Sequence, residues 1–283
     1  MRPKNLSIIL TTYNRPSTLA LVLRALQVQE LHHVSFEVLI ADDGSTSETR
    51  ELIKQLSPQL NFPVQHLWQT DEGFRAAMAR NRALAAAQGE YIIFMDGDCV
   101  PFPDFIQRHV HLAEKNWFVA GNRILLGEHL TLEIISTQEQ FWTWKTQQWV
   151  QHYLQGGVNR LLPLWRLPDT FLRKTQARRW QGAKTCNLAA WRMDLIKING
   201  FDESFQGWGH EDADLVVRLI RSGVHRKQGR FAVPVLHLWH PEQDRSHEVD
   251  NRQRLQTILK TSRTLAKQGL NQYVVQQQTL NNK

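Results

Sequence analysis

Cysteine is nearly missing from this 283-residue chain: Cys99 and Cys186 are the two it has, far apart in sequence. Isolated thiols argue against a disulfide-stapled scaffold and against a thiolate zinc site, and they fit a reducing cytoplasm. No apolar run approaches the roughly 20 residues needed to span a bilayer. The opening run from Leu6 to Leu10 turns polar at Thr11-Thr12 with no small-residue cleavage pattern, so no signal peptide is expected. The expectation is a protein that is soluble or at most peripheral to a membrane. Internal repeats are absent as well. Charged residues make up 22% of the chain beside plentiful Leu, Ile, Val and Phe, which excludes wholesale disorder. The length suits one large domain or one domain with a sizeable insertion. What the chain does have is a net charge of +7 and ten tryptophans. That balance favours an anionic partner, whether a nucleotide, a phosphorylated lipid, a membrane surface or nucleic acid, without choosing among them.

The first 125 residues alternate short β-rich runs with helical periodicity. Leu6 to Leu10 predicts a strand, followed by a polar turn in which Asn14 caps and Pro16 opens a helix carried by Leu19, Val22, Leu23 and Leu26. Phe36 to Ala41 predicts a second strand ending on Asp42-Asp43-Gly44-Ser45, with a helix through Leu52, Ile53 and Leu56 behind it. Val64 to Trp68 and Tyr91 to Met95 predict two further strands around an alanine-rich helix, Ala76 to Gln88, closed by Gly89 as C-cap. This β-α-β-α order predicts an α/β fold with a mostly parallel sheet covered on both faces. Ligands of such sheets sit beyond the carboxyl ends of the strands, where Thr11-Thr12-Tyr13, Asp42-Asp43 and Asp96-Gly97-Asp98 all fall.

Between about residues 127 and 181, tryptophans interleave with Lys145, Arg160, Arg166, Arg173, Lys174, Arg178 and Arg179, predicting a helical or loop insertion without strands. Regular structure resumes with Thr185 to Ala190, a helix around Trp191 to Ile198 and a turn at Asn199-Gly200-Phe201-Asp202. A helix carrying Leu215, Val216, Leu219 and Ile220 follows Glu211-Asp212, and Phe231 to Trp239 predicts a last strand. Beyond Arg245 the Gln- and Asn-rich sequence predicts a helix fraying into a disordered tail.

The chemistry concentrates at Asp96-Gly97-Asp98. Like charges one residue apart repel unless a cation lies between them or water surrounds both. Extended or turn backbone lets both carboxylates point one way, and Gly97 lets a bulky ligand approach the main chain. Such oxygens suit Mg2+ or Mn2+ with open positions left for phosphate. A solvated turn is the plain alternative; a place at the end of a buried strand, on the ligand edge of the sheet, favours the cation.

Together, Thr11-Thr12-Tyr13-Asn14-Arg15, Ala41-Asp42-Asp43-Gly44-Ser45, Ala79-Arg80-Asn81 with Gly89-Glu90-Tyr91-Ile92, and Asp96-Gly97-Asp98 resemble the motifs of family two glycosyltransferases of the GT-A fold. Downstream, Asn199-Gly200-Phe201-Asp202-Glu203 followed by Gly207-Trp208-Gly209-His210-Glu211-Asp212-Ala213-Asp214 resembles the acceptor-side motif of β-1,4-galactosyltransferases and bacterial chondroitin-polymerase-type transferases. The matches run in order from Ser7 to His240.

The resemblance implies a UDP-sugar donor and a divalent metal, with Asp98 as main ligand and Asp96 reaching the ribose or, through water, the metal. A later histidine completes the site: His240, with His237 as competitor. A nitrogen ligand tilts the preference toward Mn2+ over Mg2+. Asp42 and Asp43 are placed against uracil and ribose, whose N3–H and hydroxyls a carboxylate can accept from; Asp-Gly-Ser is equally good turn and cap chemistry, and both roles can hold. Thr11 and Tyr13 would line the base pocket. Arg75 and Arg80 would hold the base or diphosphate, unless they form a solvated helix face. On the acceptor side Asp212 would be general base and Glu211 would bind acceptor hydroxyls, giving inversion at the anomeric carbon. Trp208 and Gly209 would form the sugar platform. Acids at a helix start also stabilise it without any catalysis, and His210 stands where the galactosyltransferase pattern has glycine.

The organisation implied is one GT-A domain over residues 1–245, with a nucleotide-sugar half (1–125), the insertion (127–181) and an acceptor half (182–245), and then a C-terminal helix and tail over 246–283. The implied acceptor is a glycan or lipid-linked glycan of a surface polysaccharide or lipopolysaccharide, met in the cytoplasm or at the inner face of the cytoplasmic membrane, with no nucleic acid partner. The Trp- and Arg-rich insertion suits an interfacial element touching anionic lipid, and equally a core with a solvated rim. A non-catalytic basic protein binding nucleic acid or membrane is the rival reading, and it predicts that removing Asp98 or Asp212 leaves binding intact or strengthens it. A nucleotidyltransferase using paired acids would leave Glu211-Asp212 unexplained.

Overall fold

The computed structural model describes residues 2–242 and 244–273. Its first half follows the sequence pattern: β1 (Asn5–Thr12), α1 (Pro16–Gln27), β2 (Ser35–Asp42), α2 (Ser47–Leu56), β3 (Val64–Trp68), α3 (Ala76–Ala86) and β4 (Tyr91–Asp96). Then come β5 (Cys99–Pro101), α4 (Phe105–Leu112), β6 (Trp117–Ala120), β7 (Asn122–Leu125), α5 (Glu128–Thr137), α6 (Thr146–Leu154), β8 (Asn187–Trp191), α7 (Arg192–Lys197), α8 (Glu211–Arg221), β9 (His225–Gln228), β10 (Pro234–His237) and α9 (Glu248–Leu259). Seven strands form the main sheet in the order β3-β2-β1-β4-β8-β6-β9. The β3-β2-β1-β4 half is parallel, and β8 runs antiparallel between β4 and β6. A second sheet has the order β5-β10-β7, with β10 antiparallel to β5 and parallel to β7. Among the described residues no helix is long and apolar enough to cross a membrane.

Alternation along the strands puts a core on each face of the sheet. Ile8, Leu10, Val38 and Ile40 pack with the buried leucines of α1 and with α4, while Ile9, Leu39, Ile92 and Phe94 pack with α3 and α8. The alanines of α3 serve close approach: Ala77, Ala79 and Ala83 are buried against the strands. Between them stand two polar residues. Asn81 forms a two-way pair with the Phe201 main chain, its Nδ2 donating to the carbonyl at 2.9 Å and its Oδ1 accepting the amide at 2.8 Å. Gly200 turns there with φ +65, and a Cβ on it would lie 2.4 Å from Asn81 Oδ1, so glycine is required at that contact. One helix thereby ties the N-terminal half to the turn that precedes Glu211.

Several local expectations change. Asn14 does not cap α1: the residue before the helix is Arg15, and Asn14, with φ +49, uses its Oδ1 to accept from the Thr46 amide. Gly89 is not a C-cap, because α3 ends earlier, at Ala86 with Ala87 as its cap; the Gly89 amide donates to Ser7 Oγ, and a Cβ there would strike the Leu6–Ser7 backbone at 2.4 Å. The last strand is shorter than Phe231 to Trp239, since Phe231 takes φ +60 and breaks it. Strands β5, β6, β7 and β9 are three or four residues long, too short for a period of two to register in sequence. The insertion carries helices and 3-10 turns and no named strand. The anticipated fraying end lies outside the described residues beyond Tyr273.

Candidate active site

Four strand ends and one helix start converge on a cleft of about 480 Å3. It is lined by Thr11 and Tyr13 after β1, Asp43 after β2, Asp96 and Asp98 after β4, His237 and His240 after β10, and Trp208 to Asp212 leading into α8. Asp98 and Asp212, 114 positions apart in sequence, share this one space.

Arg80 sits at its centre, 4% exposed. Its Nε donates to Thr11 Oγ1 at 2.9 Å, its two terminal nitrogens reach Asp96 Oδ1 at 3.2 Å and Glu211 Oε1 at 3.3 Å, and Asp212 Oδ1 lies 4.0 Å away. Far from being a solvated helix face, this guanidinium bridges Asp96, at the end of β4, and the acids at the start of α8. Burial still dominates those acids. It pushes Asp96 up to about 6, against the pull of Arg80, and it pushes Glu211 up to about 7, with the neighbouring Asp212 charge adding to the rise.

Asp98 faces a different group of partners. Arg15 donates to its Oδ2 at 2.9 Å, His240 Nε2 stands 3.3 Å from that oxygen, and His237 Nε2 is 3.7 Å from Oδ1. One atom each from Asp98, His237 and His240 falls within a 4.8 Å span. His240 Nδ1 is 2.6 Å from the Pro241 carbonyl, which can only accept, so Nδ1 carries a proton and Nε2 is the nitrogen turned toward Asp98. Burial lowers His237 to about 4, keeping it neutral near pH 7. A carboxylate and two imidazoles make a donor set that fits a divalent cation of the Mn2+ type. Both histidines are brought to Asp98, whereas Asp96 is not part of this set and turns to Arg80.

Glu211 and Asp212 owe their position to the loop before them. Gly207, Gly209 and His210 take φ of +73, +106 and +72, so the chain reverses sharply and delivers both acids on the first turn of α8. His210 thus occupies a left-handed position, which is the physical reason glycine suits that place in related patterns. Thr185 Oγ1 donates to Asp212 Oδ1. The Trp208 ring is covered by the Arg245 guanidinium, 4.6 Å from its centroid.

On the other flank Asp43 is buried and raised to about 6, its two oxygens accepting from Gln69 Nε2 at 2.6 Å and the Arg75 amide at 2.7 Å. Asp43 and Tyr13 border the main cleft and an adjoining recess of about 320 Å3 that also takes in Arg75. The Arg75 side chain pairs with Glu72 at 2.8 Å, and Tyr13 donates to Asp71 at 2.8 Å. Asp42 does not reach either space: fully buried, it accepts from the Ser45 amide at 2.8 Å and pairs with His66 at 2.7 Å, so its carboxylate serves the turn. Arg15, Thr185, Lys184 and Arg123 also line the cleft without having been singled out from sequence. Arg15 stood inside a recognised motif; Thr185 gave no signal, because its position depends on β8 inserting between β4 and β6.

Residues 7–165 match the family described as Glycosyl transferase family 2, and residues 170–240 match the N-terminal domain of galactosyltransferase. The chain is 32% identical over 230 residues to a hyaluronan synthase of Pasteurella multocida, covering 77% of this chain and 23% of that protein. It is 29% identical over 231 residues to a chondroitin synthase of Escherichia coli, covering 78% of this chain and 33% of that protein. The chain therefore spans a quarter to a third of the length of these two relatives. Among solved structures, GalNAc-T7 with UDP, GalNAc and Mn2+ superposes with a TM-score of 0.57 at 16% identity, over 85% of this chain and 45% of the other, which places the fold among GT-A enzymes. With the family match covering more than half its length, the chain belongs to glycosyl transferase family 2 and carries a galactosyltransferase-type segment behind the family 2 region.

Proposed function

We propose that this protein is an inverting, metal-dependent transferase that moves a hexose or N-acetylhexosamine from a UDP-sugar to a hydroxyl of a glycan or lipid-linked glycan, in cytoplasmic surface-polysaccharide or lipopolysaccharide assembly. One observation carries the reading: Asp98 with His237 and His240, and Glu211 with Asp212, border one cleft, with Arg80 between Asp96 and the latter two acids. The synthase relatives and the UDP and Mn2+ named with GalNAc-T7 support it.

Asp98, His237 and His240 would hold the cation, which when bound neutralises charge on the departing diphosphate without proton transfer. Arg15, 2.9 Å from Asp98, adds positive charge on the same side of the cleft. Tyr13, Asp43 and Arg75 surround the recess suited to the base and ribose. Asp212, oriented by Thr185, takes the proton of the attacking acceptor hydroxyl. Glu211, raised to about 7, spends part of its time protonated near neutral pH and can both donate to and accept from acceptor hydroxyls. Attack from the Asp212 side, opposite the diphosphate, inverts the anomeric carbon.

The test is a panel of UDP- and GDP-sugars with Mn2+ or EDTA, scored by slow nucleotide release. Metal-dependent release from a UDP-sugar is expected. Release from no donor, with no donor altering thermal stability, would sink the reading.

A further inference from the structure

The segment between α5 and β8 does something the cleft does not explain. Among the described residues, large apolar side chains exposed to solvent crowd into it: Leu154 is 78% exposed, Leu162 65%, Trp165 74%, Phe171 79% and Leu172 60%. Singly exposed apolar residues are ordinary, but five this open within nineteen positions are not.

The loop that carries them is not loose. Arg173 is buried beneath it and spends its guanidinium on four main-chain carbonyls: Leu167 at 2.6 Å, Pro168 at 2.9 Å, and Gln228 and Arg230 at 2.8 Å each. Arg166 adds a bond to the Pro163 carbonyl at 2.9 Å and an ion pair with Asp104. The fold thus commits buried cations to holding a backbone whose own apolar side chains point away from the core. Arg166 and Lys174 pair with Asp104 and Glu114 of other elements, but along the segment itself the charge is nearly all of one sign. From residue 140 to 193 the sequence holds nine Lys and Arg against a single acid, Asp169, and Lys227 pairs with that acid at 2.7 Å. Arg178, Arg179 and Lys184 are exposed. The segment also borders the cleft at its C-terminal end, through Lys184 and Thr185.

We propose that this segment is a docking surface for an anionic lipid bilayer, with Leu162, Trp165, Phe171 and Leu172 entering the headgroup and acyl boundary while Arg178 and Arg179 meet lipid phosphate. Exposed aliphatic and aromatic side chains beside uncompensated positive charge match the two halves of a membrane interface. Nucleic acid would satisfy the charge and leave the leucines in water. The inference goes beyond sugar transfer and is read without it.

Sedimentation of the full chain with vesicles of phosphatidylcholine alone, or mixed with phosphatidylglycerol, tests it. Binding is expected only with the anionic vesicles and should weaken at high salt. The Phe171→Ser/Leu172→Ser double variant should lower partitioning about tenfold or more, and Arg178→Ala/Arg179→Ala about fivefold per charge; thermal melting serves as the folding control. No anionic-vesicle binding, equal binding to both vesicles, or binding that ignores the Phe171 and Leu172 changes overturns the proposal. So does a single-stranded RNA oligomer that binds through Arg178 and Arg179 while vesicles do not, or a dimer lost in the apolar variant without vesicle binding.

Discussion

Replacing Arg80 with methionine puts the most structural argument at risk in one experiment. The side chain is about the same length and apolar, so the packing of α3 is largely kept while the cation is lost. What remains is Asp96, Glu211 and Asp212 around one buried point, each having lost a partner within 3.2 to 4.0 Å. Stranding buried carboxylates by removing their cation costs about 3–5 kcal/mol, which in a protein of this size lowers the melting temperature by roughly 6 °C or more. The sign with pH follows from the acids. In the wild type Glu211 and Asp96 ionise near 7 and 6, and without Arg80 both move higher. The contribution of Arg80 is therefore fully present above the variant's raised values and shrinks as pH falls through about 7 and then about 6, where the carboxyls carry protons in both proteins. Urea unfolding of the two proteins at a series of pH values reads this directly. The gap should be largest near pH 8 and small near pH 5, and Arg80→Met/Glu211→Gln should recover part of it. A gap independent of pH, or no recovery in the double variant, would refute the idea that Arg80 acts by neutralising these acids.

Other expectations are narrower. Asp212→Asn should cut transfer by about 10^2 to 10^4 while UDP affinity stays near wild type, as a lost general base requires; equal loss of UDP binding would assign Asp212 to the donor instead. Thr185→Val should lower kcat about tenfold with little change in donor KM, and Thr185→Ser should restore it, since the hydroxyl donating to Asp212 is what matters. Asp98→Asn and His240→Ala should each abolish the Mn2+-dependent part of UDP affinity measured by calorimetry, leaving any metal-independent binding unchanged. Gly44→Ala should destabilise the fold by about 1–3 kcal/mol, because Gly44 has φ +95 and a Cβ would meet the Asp71 backbone at 2.5 Å; urea denaturation measures it.

Legibility followed the physics of each element. β1 to β4 and α1 to α3 could be read because buried strands and amphipathic helices impose periods on many residues at once, and the polar residues after β1, β2 and β4 mark a ligand edge before any coordinates exist. Asp96, Asp98, Glu211 and Asp212 were visible for the same reason: their types and spacing violate the apolar pattern around them. Strands of three or four residues impose no period, so β5 and β7 left no trace; β10 was legible only as part of a longer run from Phe231 to Trp239, and its pairing with β5 and β7, which brings His237 and His240 to Asp98, was not. Nor could composition tell a solvated arginine from a buried one. Arg80 carried both readings, a base or diphosphate contact and a solvated helix face, and Asp42 looked as available as Asp43; which of them faces the cleft depends on how α3, β3 and α8 pack. Local sequence sets what each short segment prefers to become, whereas the meeting of side chains scores of residues apart is a property of long-range packing, and it is there that Arg80, Thr185 and the paired histidines acquired their roles.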